Sequence, residues 1–213
     1  MSATARASVS RHLGLSRRER SVLERCSTTR ALQAYIDSIP INEERNGDTC
    51  YTVREVLRHR CAHCIEAALV AACALWLGGE APLLLDLRAR RDFDHVVALF
   101  RRNGLWGAIS KSNHVQLRGR DPVYRSLREL AMSYFNIYFN LRCERTLRRY
   151  SRPVNLTRFD HLNWMTTDKP IWFIAEHLCE IPHISLLTPT MEKNLTRVDR
   201  RTRRGEMVGH RKK

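Results

Sequence analysis

The sequence predicts an α+β domain, and three features carry that expectation. Cys64–Trp76 is an Ala- and Leu-rich segment, apolar on every side, which reads as a helix buried in the middle of a domain. Pro82–Leu87, His95–Phe100 and Leu105–Ile109 then follow as strand-like runs, the last two joined by an Arg102-Asn103-Gly104 turn, so the sheet is expected to be mostly antiparallel. From Asp121 onward helical periodicity returns. The chain's 213 residues are enough for one sizeable domain, and 43% hydrophobic against 28% charged residues supports a packed core.

Met1–Ser16 has no apolar period and is expected to be a disordered basic tail ahead of a single domain over residues 17–190. Arg17–Ile36 carries a weak helical stripe from Val22, Leu23, Leu32 and Ile36. Pro40 and the Asn46-Gly47 pair mark a loop. Thr52 is placed to cap a short helix, with Glu55 three residues on completing a capping box. Gly78-Gly79 ends the buried helix. Asp121-Pro122 is read as the start of a long amphipathic helix with Leu127, Leu130, Ala131, Tyr134, Ile137 and Tyr138 on one face. A short helix at Ile171–Leu178 follows, which makes residues 121–187 a helical extension of a core over about 52–114. Residues 191–213 are expected to be a second disordered basic tail.

Of the formal net charge of +15, the segment Glu192–Lys213 holds nine basic against three acidic residues, and the first thirty residues hold seven against two. The charge therefore sits at the ends, where polyanion contact through solvated tails is the expected consequence rather than a nucleic-acid groove in the domain. The seven cysteines are odd in number, and no apolar leader precedes them. Free thiols and a cytoplasmic location are expected, with no membrane contact.

Cys64 carries the candidate chemistry. A thiol becomes nucleophilic when its pKa falls or a base stands beside it, and a helix start supplies positive potential and free N–H groups. His95 heads an apolar strand, an unusual place for a core histidine. The matching segments are Ala62-His63-Cys64-Ile65-Glu66-Ala67-Ala68, Asp94-His95-Val96-Val97-Ala98-Leu99-Phe100 and Trp106-Gly107-Ala108-Ile109-Ser110. Their residue types and order resemble the transglutaminase-like branch of the papain-type cysteine enzymes over about Thr52–His114. The resemblance implies a papain-like fold, a Cys64 nucleophile, a His95 base, no cofactor or metal, and a peptide, amide or thioester substrate for a cysteine hydrolase or acyltransferase. The family usually has Asp four residues after the Trp; here Ser110 stands there, and Asn113 or Asp86 are the other residues placed to orient His95.

Other readings compete. Cys61-Ala62-His63-Cys64 is also a thiol–disulfide exchange spacing with Cys61 as its nucleophile, although that pattern follows a strand. Zinc binding by Cys61, Cys64 and a neighbouring histidine lacks a second spaced pair. Glu66 is expected only to complement the helix dipole. A protein of another class, a catalytically decayed binding module docking an acidic protein or nucleic acid through its tails, would also carry Ser110 in place of Asp.

Overall fold

The computed structural model describes residues 14–45 and 47–206. Asn46 of the expected turn, most of the N-terminal tail and the last seven residues lie outside them. The α+β class holds: a seven-stranded sheet, antiparallel in every pairing, is flanked by helices on both faces.

Two helices, α1 (Arg17–Glu24) and α2 (Thr29–Ser38), replace the single weak stripe, because Ser16 and Thr28 each cap a helix start with the side-chain oxygen. Helix α3 (Val53–His59) has the expected reciprocal Thr52–Glu55 box. Helix α4 (Cys64–Leu77) is buried along nearly its whole length. Strands β1 (Leu83–Ala89), β2 (His95–Arg102) and β3 (Leu105–Ile109) form the expected meander.

The alternation of β2 decides what each face packs against. Val96, Ala98 and Phe100 join the core built around α4. Val97 and Leu99 point the other way, into a second core with Leu130, Ala131 and Tyr134 of helix α5 (Leu127–Phe135). Gly107 sits opposite Phe100, and a methyl group there would lie 2.4 Å from the Phe100 ring, so glycine lets that ring lie flat across β3.

Three expectations are corrected. Arg120–Tyr124 is an edge strand, β4, and not the start of the helix. Pro122 is tolerated at an edge, and Ser126 caps α5 instead. The region after residue 121 is no helical extension either. Strands β5 (Leu147–Ser151) and β6 (Val154–Asn155) pair directly with β1, and β7 (His183–Ser185) pairs with β5, with α6 (Trp172–Glu180) between them. These strands are short, and β5 carries two arginines, so they lack the apolar alternation that would have marked them in the sequence.

The limits assigned to the two tails also move. Leu15 is buried in the α4 core, and residues 191–206 are ordered against the domain. After α7 (Pro189–Lys193), Val198 is buried and its N–H donates to the Cys143 carbonyl. Glu206, at the end of α8 (Arg200–Glu206), is fully buried and accepts from the Gln116 N–H. No helix among the described residues is long and apolar enough to cross a membrane.

Candidate active site

Helix α4 begins where β2 leaves the 90–94 loop, so Cys64 and His95 meet at one end of the sheet. They share a cleft of about 310 Å³ with His63, Lys111, Tyr138 and Phe93. Cys64 is partly exposed there, at the first position of its helix.

Burial opposes ionisation of the Cys64 thiol, but hydrogen bonds with His63 and His95, the charge of His95 and the Val96 N–H outweigh it and bring the thiol down to about 5. Burial, with nearby carboxylates adding to it, does the reverse to other thiols, pushing Cys50 up to about 12 and Cys73 higher still. Burial also depresses His63, yet its hydrogen bond to Cys64 and the Glu66 charge raise it to about 9. Cys64 is therefore a thiolate beside imidazolium character over a wide span of pH.

The orientation of His95 follows from what its Nε2 faces. The Leu117 carbonyl lies 3.1 Å away and accepts only. Ser110 Oγ lies 2.6 Å away and itself donates to the same carbonyl at 2.9 Å. Both contacts are made when Nε2 carries a hydrogen, which leaves Nδ1 as the nitrogen for the sulfur. Tyr134 and Tyr138 hold the ring edge-on from behind, with centroids at 6.3 and 6.4 Å. Ser110 reaches His95 because it directly follows Ile109, which pairs with Ala98, and so continues along β2 toward its head on the face to which His95 also points.

The other orienters considered are not brought to the ring. Asn113 lines the cleft but is exposed and makes no hydrogen bond to His95 among the described residues. Asp86 turns instead to His183, with Oδ2 at 2.7 Å from its Nε2. The Leu117 carbonyl takes up that role beside Ser110. A backbone group carries no residue-type signal, so the sequence could not reveal it.

His63 was also missed as a site residue. It was legible in principle, since it directly precedes Cys64 and stands three residues before Glu66. Its Nε2 faces the Thr49 carbonyl at 3.0 Å and Glu44 Oε1 at 3.3 Å. Glu66 is fully buried and does far more than meet a dipole. It accepts from Thr49 Oγ1 and from the Tyr51 and His63 N–H groups, each at 2.9 Å, and from Asn42 Nδ2 at 3.2 Å. It thereby ties the 42–51 loop to the first turn of α4.

Thiol exchange through Cys61 fits this geometry poorly. Burial raises the Cys61 thiol, Cys61 borders a different cavity, and helix α3, not a strand, precedes the pair. No group of three residues suited to hold a metal occurs among the described residues.

Ser110 yields a direct test. If its hydroxyl orients His95, Ser110→Ala should lower the second-order rate of Cys64 acylation about tenfold or more, the scale of one lost positioning hydrogen bond. Ser110→Asp should hold or raise the rate, because a carboxylate stabilises imidazolium. Equal rates in all three proteins would remove Ser110 from the site. Comparison with protein-family models and with curated proteins gave no match to this chain.

Proposed function

We propose that this protein is a transglutaminase-like cysteine acyl hydrolase or acyltransferase with a papain-like arrangement of site residues. One observation carries the reading: Cys64, at a helix start and between two histidines, has its thiol lowered to about 5 while other buried thiols of the chain are raised. In the proposed cycle the Cys64 thiolate attacks a carbonyl carbon of an amide or thioester. The oxyanion faces the N–H groups of the first turn of α4, which have no partners within the helix. Protonated His95 gives its Nδ1 proton to the leaving nitrogen or sulfur as the C–N or C–S bond breaks. Water, or an amine, then gives a proton back to His95 and attacks the thioester, and the C–S bond breaks to release the acyl product and the Cys64 thiolate. No cofactor takes part in these steps.

The rival reading, a non-catalytic binding module, draws on Ser110 in place of Asp. A low thiol pKa held by two imidazoles is a costly feature for a module that has no use for a thiolate. The experiment is acyl-enzyme trapping with a 4-nitrophenyl ester. Wild type should gain one acyl group, mapped to Cys64 by mass spectrometry, and His95→Ala should lose at least a hundredfold in the rate of its formation. Acylation spread over several cysteines, or unchanged by His95→Ala, would overturn the proposal.

A further inference from the structure

A second cavity, of about 290 Å³, lies on the other side of the 90–94 loop from the Cys64 cleft. Three pieces of chain build it: the loop itself, the segment leading into β5, and the stretch after α7. Its walls hold five arginines, at 90, 91, 145, 148 and 197, against Glu144 and Glu192, a net charge of +3. Glu192 pairs with Arg90 at 3.4 Å and with Arg148 at 3.2 Å, and Glu144 pairs with Arg197 at 3.7 Å. Among the described residues no ion pair involves Arg91 or Arg145. Arg145 is held in place by Thr196, through its carbonyl and its Oγ1, and its Nε is buried without a hydrogen-bond partner. Arg91 is held in the left-handed region at φ 60°, a strained conformation for a long side chain.

The cavity and the cleft share a wall. Thr146 lines the arginine cavity, and its Oγ1 donates to Asp92 Oδ2 at 2.7 Å, while its N–H donates to the Tyr138 carbonyl at 2.9 Å. Asp92 and Tyr138 line the Cys64 cleft. Arg91 stands four residues before His95, at most about 14 Å along the chain.

We propose that this arginine cavity binds a phosphate group carried by the acyl substrate, so that the enzyme acts on phosphate-bearing acyl compounds. The charge count favours phosphate over a carboxylate. Two guanidinium groups outside any close ion pair, although the Glu144 carboxylate feels the Arg91 charge, match a phosphate monoester, which carries about −1.5 to −2 at neutral pH. Arginine forks also bind phosphate oxygens in pairs. The small volume suits such a group and not a nucleic-acid duplex. The inference rests on the acyl-transfer reading of Cys64, but its test separates the two.

Cys64 is alkylated with iodoacetamide and with an iodoacetamide bearing a phosphate monoester on tethers of graded length. In both, the thiolate forms a C–S bond as iodide leaves. At one tether length the phosphorylated reagent should react with wild type at least tenfold faster than the plain reagent. Arg145→Gln and Arg91→Gln should each abolish that preference and leave the plain rate unchanged. Arg91 is exposed, so its variant serves if Arg145→Gln disturbs folding. Pyrophosphate binding to the Cys64→Ala protein, read by calorimetry at 150 mM salt as in about physiological conditions, should saturate at one site and weaken at least tenfold in Arg91→Gln. No phosphate preference at any tether length, or equal pyrophosphate affinity in wild type and both arginine variants, overturns the phosphate site. Failure of plain iodoacetamide to favour Cys64 overturns the acyl-transfer reading instead.

Discussion

At pH 6, Cys64 is expected to react with iodoacetamide roughly tenfold faster than an unperturbed cysteine, and the advantage follows from two opposing effects. With a pKa of about 5 the thiol is mostly ionised at that pH. An ordinary thiol, at about 8.5, is ionised to about 0.3%. That difference alone gives roughly 300-fold, but a thiolate of lower basicity is a weaker nucleophile, which returns about 25- to 55-fold of it. The ionisation gain wins. The rate should climb through about pH 5 and then level off, and His63→Ala or His95→Ala should move the midpoint upward, since each removes a hydrogen bond that lowers the thiol. A single rise through pH 8–9 in wild type would show that Cys64 is an ordinary thiol.

The same shifts set opposite pH dependences of stability. The Cys64 pKa is lower in the folded protein than the ordinary thiol value of about 8.5, so its contribution is full above that value and is lost as pH falls through about 5. The His63 pKa is raised from 6.5, so its contribution is full below 6.5 and is lost as pH rises through about 9. The difference in melting temperature between wild type and Cys64→Ala should therefore shrink in acid, and that between wild type and His63→Ala should shrink in alkali.

Glu66→Ala should be the most destabilising single change at the site, at about 4 kcal/mol or more. The carboxylate accepts two backbone N–H groups, the Thr49 hydroxyl and the Asn42 amide, all inside the fold, and removal leaves these donors without an acceptor. Hydrogen bonds to charged groups are worth about 1.5–3 kcal/mol each. In a domain of this size the loss corresponds to a fall in melting temperature of roughly 10 °C. A glutamate that only met the helix dipole would contribute about 0.3–1 kcal/mol, a fall of no more than about 3 °C. The thermal shift of Glu66→Ala distinguishes the two, and a fall within the smaller range would mean that the 42–51 loop is held by other contacts.

Residue pattern alone determined the elements whose signals are local. The Thr52–Glu55 box, the apolar run from Cys64, the Asn103-Gly104 turn and the strands beside it are short-range features, and each forms where the sequence places it. Cys64, His95 and Ser110 were legible for the same reason. One heads a helix, one heads a strand, and the third follows from antiparallel register across a turn, so local geometry brings all three to one end of the sheet. The tertiary structure decided the rest. Strand β5 exists because β1 offers it an edge, and β7 because β5 in turn offers one, not because Arg148, Arg149 or His183 favours extended backbone. Asp86 was a further residue that the sequence allowed to approach His95, and it is taken by His183, almost a hundred residues away. The Leu117 carbonyl beside His95 and the donors around Glu66 depend on loop paths that residue types do not encode. Periodicity reports what a residue does to its neighbours along the chain, whereas partners distant in sequence are chosen only when the chain is packed.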